Sequence, residues 1–283
     1  MVRQQKFYNA IELYLSFVKD YPQHRRAPEA LFEVGNIQQT MLNDTKKAAT
    51  TYRKLVSKYP IGRFTLMAQR RIAELEMNTH ADYRQAIVEF EKLIQAAPND
   101  PNAAAYQLEI ARGYTRLHNY EQAAVEYKAL VTKYPKFDGL DEAYFQAGNN
   151  AYIWGKYEEA VSSYRTVIER FAGSKFRIES LFGLGQAYEE MEFWDQARES
   201  YGKVLKEDPS RKKIIETRLA GLSSREKKKT ALATGAKLKP APMPARRAEQ
   251  KKHARITVIV PPKAEELEKT DDEPAESEKP EVE

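Results

Sequence analysis

From the N-terminus to about residue 209, apolar side chains recur at three- and four-residue spacings, and proline repeatedly cuts the runs. The clearest run is YEQAAVEYKALVTKYP at 120–135. It returns as YEEAVSSYRTVIERFA at 157–172 and WDQARESYGKVLKEDP at 194–209, and earlier as YRQAIVEFEKLIQAAP at 83–98, KKAATTYRKLVSKYP at 46–60 and FYNAIELYLSFVKDYP at 7–22. In each, a small residue is followed four later by an aromatic, seven later by an aliphatic or Phe, and twelve later by Pro or, once, Ala. Positions 0, +4 and +7 share one face at 3.6 residues per turn. The closing Pro lacks an N–H and stops the helix. The six anchors, Ala10, Ala48, Ala86, Ala123, Ala160 and Ala197, lie 38, 38, 37, 37 and 37 residues apart.

A second helical run precedes five of these copies, each with a small residue at its centre: Gly35 in LFEVGNIQ, Ala73 in AQRRIAEL, Ala111 in YQLEIARGY, Gly148 in YFQAGNNAY and Gly185 in LFGLGQAY. Glycine in mid-helix costs roughly 1 kcal/mol against alanine, so its return at one register marks a close helix crossing. Ala123, Ala160, Ala197, Gly148 and Gly185 are therefore structural. Each unit reads as a hairpin of helices A and B, and the chain as an all-α solenoid. Arg211–Leu222 supplies a last helix to cap the final unit, with Ile214, Ile215, Leu219 and Leu222 as its apolar stripe. The expected organisation is an array over 1–222, a basic linker over 223–255, and a short β-prone segment with an acidic tail over 256–283.

This pattern of Gly/Ala and Tyr in helix A, then Ala, an aromatic and Pro in helix B, resembles the tetratricopeptide (TPR) repeat, most closely at Gly185, Tyr188, Ala197, Tyr201 and Pro209. The resemblance covers about residues 5–209 and implies a right-handed superhelix whose A helices line a concave groove. The period departs from the usual 34, because Pro or Ala and the next central Gly/Ala are 13 apart in every unit, which lengthens the join between units. With such joins, wording like KYPKFDGLDEAYFQAGNNAY is similar to the TPR subgroup of the Gram-negative envelope. That subgroup includes the BamD-like lipoprotein of outer-membrane assembly and the periplasmic coordinator of the Tol-Pal system. The subgroup implies a periplasmic location or the periplasmic face of the outer membrane, in assembly or division. The alternative is a cytoplasmic TPR adaptor whose basic tail contacts nucleic acid.

Carried over from the TPR family, groove positions stand three before, one after and four after the central small residue. The partner-groove candidates are Phe32, Asn36, Arg70, Leu108, Arg112, Phe145, Asn149, Tyr152, Phe182 and Gln186, with Gln39, Glu74, Met77, Thr115 and Glu189 at the remaining positions. Phe at the first position is accompanied by Asn or Gln at the second in three units. An aromatic takes an apolar side chain and an amide hydrogen-bonds the backbone of a bound protein segment, while Arg70 and Arg112 suit acidic groups. The competing assignment is that the Phe rings seal joints between A helices.

Charge changes the picture only in the tail. Residues 223–255 hold eleven Lys/Arg against two Glu, whereas 261–283 hold three Lys against ten Asp/Glu, so the net +5 describes neither part. The linker KLKPAPMPARR and the acidic end cannot form a core by composition. The basic stretch suits an anionic polymer or membrane surface. Without interleaved aromatics it has only charge to offer nucleic acid. ARITVIVPP contains an isolated β-prone segment at Arg255–Val260, suited to adding a strand to a partner's sheet edge.

No catalytic, metal or cofactor motif emerges. FGLGQAY lacks a third glycine and a preceding strand. There is no phosphate loop or nucleophile elbow, and His24, His80, His118 and His253 are scattered. With no cysteine, disulfides and thiolate chemistry are excluded for this chain. The expected class is a non-enzymatic protein-binding scaffold without a cofactor or small-molecule substrate. The opening stretch is a helix B in register, through Ala10, Tyr14, Phe17 and Pro22, with no helix A before it. The expectation is therefore that the rest of the unit, and a signal sequence with it, lie upstream.

Overall fold

A computed structural model describes residues 2–233, and all of the regular structure among these residues is helical. The unpaired first helix, α1, is Val2–Asp20. Five hairpins follow: α2 Ala27–Asn36 with α3 Thr45–Lys58, α4 Arg63–Leu75 with α5 Tyr83–Ala96, α6 Ala103–Arg116 with α7 Tyr120–Lys133, α8 Leu140–Trp154 with α9 Tyr157–Arg170, and α10 Arg177–Glu190 with α11 Trp194–Glu207. A 3₁₀ turn at Pro209–Arg211 leads into α12, Lys212–Ala233. The chain is an α-solenoid, and none of the described helices is long and apolar enough to cross a membrane.

Each hairpin is locked by one ring. The B-helix aromatic at +4 (Tyr52, Phe90, Tyr127, Tyr164 or Tyr201) is buried against the A helix of its own unit. A Cβ added to Gly35 would come within 2.4 Å of the Tyr52 ring, one on Gly148 within 2.7 Å of Tyr164, and one on Gly185 within 2.6 Å of Tyr201. In α1 the equivalent Tyr14 meets no A helix of its own unit among the described residues and is 37% exposed.

The one-residue difference between the 38- and 37-residue spacings has a location. In the first two hairpins 13 residues separate the central Gly/Ala from the B-helix Ala, and in the other three 12. The extra residue is absorbed as a π-helical turn at the end of the A helix, at Ile37–Met41 and Glu76–His80. This is the usual way a helix takes up a one-residue insertion. Every A-to-B turn then places one residue in the left-handed region, at Asn43, Ala81, His118, Gly155 and Glu192, five positions before the B-helix Ala. Only one of these is glycine.

Four of the five hairpin B helices stop at the residue before a Tyr/Ala/Asp-Pro pair, where the proline ring disfavours the helical conformation of its predecessor; α9 stops at the same register before Phe171-Ala172 without a proline. The long joins are pairs of tight turns: His24 N–H donates to the Tyr21 carbonyl and Ala27 N–H to that of His24, and the pattern recurs at 97–103, 134–140 and 171–177.

Two sequence expectations need correction at the C-terminal end. The capping helix runs to Ala233, eleven residues beyond Leu222. Of its expected stripe Ile215 and Leu222 are fully buried, Leu219 is half-buried and Ile214 is exposed. The extension is held by charge: Arg225 meets Glu189 at 3.1 Å, and Glu226 and Lys229 pair with Arg198 and Glu192. The rest of the basic linker, the segment Arg255–Val260 and the acidic tail lie outside the described residues.

Candidate partner-binding groove

The A helices α2, α4, α6, α8 and α10 carry the candidate groove positions. The structure divides them into two sets. Phe32, Leu108, Phe182 and Gln186 are buried by the chain itself. Phe32 packs on Tyr52 and on Phe64 of the next A helix, with ring centroids 5.5 and 5.8 Å away, and Phe182 packs on Tyr201 at 5.6 Å. Leu108 joins Tyr127 and Ala143. Phe32, Leu108 and Phe182 help seal the packing around the rings, because a residue three before the central Gly or Ala leans over the ring lodged there. They are not available to a ligand in this conformation.

Asn36, Arg70, Arg112, Phe145, Asn149 and Tyr152 remain at least partly open. The amides are held from beneath. Tyr52 donates its hydroxyl to Asn36 Oδ1 at 2.9 Å, and Tyr164 donates to Asn149 Oδ1 at 2.8 Å. With its carbonyl occupied, each half-buried amide has its NH2 left for other acceptors. The Asn36 NH2 reaches Glu33 at 3.4 Å and the Asn149 NH2 reaches Gln146 at 3.5 Å, long contacts that a better acceptor can replace. Phe145 stacks on Phe176, centroids 5.1 Å apart, beside Asn149 one turn on. Tyr152 lies 5.6 Å from the Tyr157 ring, and burial pushes its hydroxyl up to about 12.

The two arginines are already matched. Arg70 donates to Glu74 at 2.7 Å, and that hydrogen bond raises its pKa above the ordinary guanidinium range. Arg112 pairs with Glu109 and with Glu142 of the next unit. An acidic ligand group would have to displace a carboxylate at either arginine. Between the first three units a cleft of about 440 Å³ is lined by Gln39, Arg70, Glu74, Asn78, Tyr106 and Glu109 among others, a surface of mixed charge. At the far end Glu189 is buried, accepting from the Tyr201 hydroxyl at 2.9 Å and facing Arg218 and Arg225 of α12. The cap thus covers Glu189, and with Phe182 and Gln186 also buried the open groove stops near Tyr152.

Sequence reading missed the hydroxyl-to-amide ties, the cleft residues Asn78, Tyr106 and Glu109, and the burial of Glu189. The signal for the ties was present: Tyr at +4 of helix B accompanies Asn at +1 of helix A in the first and fourth hairpins. Where the ring is Phe90, which has no hydroxyl, the A helix carries Glu74 instead.

Tetratricopeptide-repeat family models match residues 29–60, 141–172 and 179–210, each a complete A–B hairpin. The three matched hairpins are tetratricopeptide repeats. Solved structures with the same fold include YrrB, described as a TPR protein with an unusual peptide-binding site (18% identity, 71% of this chain and 97% of that one, TM-score 0.54). BtubC of P. vanneervenii is similar over 88% of this chain and 96% of its own (14% identity, TM-score 0.53). PilW, a type IV pilus biogenesis factor, is similar over 74% and 89% (15% identity, TM-score 0.51). No curated protein matches the sequence. Between the matched TPR hairpins, α4–α5 and α6–α7 keep the same register of small residue, ring and proline.

Proposed function

We propose that this TPR array is a non-catalytic scaffold that holds an extended or helical segment of a partner protein along the A helices from Asn36 to Tyr152. The observation that carries the reading is the pair of amides, Asn36 and Asn149, each fixed through its carbonyl by a buried tyrosine. Each leaves a preorganised N–H donor facing the groove. Such donors match backbone carbonyls of a bound segment, and the Phe145–Phe176 stack beside Asn149 offers an apolar face for a side chain. The mixed charge near Arg70 and Arg112 favours a partner segment that carries both signs. Peptide binding by a relative of the same fold, YrrB, accords with this use of the surface.

The setting we propose is the Gram-negative envelope, in assembly or division, with the chain in the periplasm. The support is the likeness of its long, Pro-initiated joins to those of the envelope TPR subgroup.

A photoreactive amino acid at Phe145, with a second at the outward-facing Val125 as control, tests the groove in the native cells. Capture from position 145 alone, abolished by Asn149→Asp with an unchanged helical spectrum, is the expected result. Equal capture from both positions, or capture indifferent to Asn149, overturns the groove.

A further inference from the structure

The N-terminal edge of the array differs from the rest in charge and in shape. Residues 1–75 hold thirteen Lys/Arg against six Asp/Glu, whereas 76–209 hold fifteen against twenty-two. The excess gathers where two joins meet, the one after α1 and the one after α3: the Tyr59 hydroxyl donates to the Pro22 carbonyl at 2.9 Å, and Lys58 Nζ reaches the Val18 carbonyl at 3.5 Å. The two segments that meet here carry Lys19, Arg25, Arg26, Lys54, Lys58 and Arg63, with Asp20 and Glu29 as their acids. Arg25, Arg26, Lys54 and Arg63 make no ion pair among the described residues; Arg63 lies over the Phe64 ring, 4.9 Å from its centroid.

The second of these joins also breaks the pattern of paired turns. The Thr65 hydroxyl takes the Tyr59 carbonyl, and Gly62 sits at φ 134°, which only glycine adopts readily. The chain is turned outward there, and Ile61 is 91% exposed. At the same position, directly after Pro or Ala, the other joins carry Gln23, Asn99, Lys136, Gly173 and Ser210, all polar or glycine. Tyr21, on the adjoining join, is 60% exposed. An exposed aliphatic tip and a tyrosine on two adjoining joins rich in unpaired guanidinium and ammonium groups suit a surface that is anionic outside and apolar beneath.

We infer that this edge, Tyr21–Arg26 with Lys58–Arg63, docks on an anionic phospholipid surface, Ile61 entering the acyl boundary while Arg25, Arg26 and Arg63 meet the headgroups. Each basic residue held at such a surface raises partitioning about fivefold. Nucleic acid would use the same positive charge, but it offers an aliphatic tip neither a stacking partner nor an apolar layer, so Ile61 favours lipid. The surface is separate from the groove, and its occupant need not be the groove's partner.

Because the chain has no cysteine, a single engineered thiol reports on one position even when the basic tail also binds lipid. Full-length chain carrying Ile61→Cys labelled with an environment-sensitive dye is titrated with vesicles of equal parts phosphatidylglycerol and phosphatidylcholine, with Val125→Cys as control. A blue shift at position 61, absent at 125, absent with pure phosphatidylcholine and abolished by Arg25→Glu/Arg26→Glu/Arg63→Glu with an unchanged helical spectrum, is expected. In a chain labelled at Tyr21→Cys, Ile61→Asp should raise the lipid concentration for half response by about tenfold. A silent probe at 61, whether or not the chain sediments with the vesicles, overturns the proposal. So does a polyuridylate RNA that binds more tightly than the vesicles with the same dependence on the three arginines.

Discussion

At the scale of single residues, the hairpins depend on a few side chains that do two things at once. Asn149 is a proposed groove donor and also satisfies the buried Tyr164 hydroxyl. Asn149→Ala would strand that hydroxyl and should lower unfolding free energy by about 1–3 kcal/mol. Asn149→Asp keeps the acceptor and removes only the donor, so urea titration should show a clearly smaller loss. If the two variants are equally destabilised, the tie is not what holds the amide. The small residues opposite the rings leave less latitude. Gly148→Ala puts a methyl 2.7 Å from Tyr164 and should cost roughly 1–3 kcal/mol in the same titration, although alanine is the better helix former.

At the scale of elements, turns rather than helices carry the avoidable strain. Ala81 and His118 occupy the left-handed region at φ 58°, which costs a residue with a Cβ about 1 kcal/mol or more. Ala81→Gly should therefore raise stability by about 0.5–1 kcal/mol, seen as a higher urea midpoint with the slope unchanged. A fall would mean that the entropy of the freer unfolded chain outweighs the relief. The residue beyond each turn caps the B helix. Asp44, Asp82 and Asn119 accept the N–H three residues on, whereas Lys156 and Phe193 offer no acceptor. Asp82→Ala should cost about 1 kcal/mol, and Lys156→Asp should return a similar amount.

At the scale of the whole molecule, stability should respond to pH through the stacked tyrosines. Burial raises Tyr52 and Tyr127 to about 12, and it raises Tyr164 and Tyr201 further. The folded state thus keeps these protons where the unfolded chain, with tyrosines near 10, has lost them. Their contribution is complete below about pH 10 and is lost as pH rises through the folded values. Urea midpoints should fall steeply above about pH 10, and Tyr52→Phe should blunt the fall. The cap gives a second test. Removing residues after Leu222 leaves the buried Glu189 without Arg225, so the last hairpin should open first, detected as early loss of amide protection in α10 and α11.

Much of this architecture was legible in the sequence because its cause is local and repeats: ring spacing, central glycine and terminal proline each act within one hairpin. The sequence determined the units, their boundaries, the helical class and the resemblance to TPR repeats. It could not decide which groove positions stay open. The same −3 register buries Phe32 and Phe182 yet leaves Phe145 partly free, according to how the neighbouring helices pack around each ring. Nor could it show that Arg70 and Arg112 are already neutralised, that the extra residues of the first two units become π turns, or that two basic joins meet. Those outcomes depend on which side chains from distant segments arrive at the same place, and only the stacking of hairpins sets that.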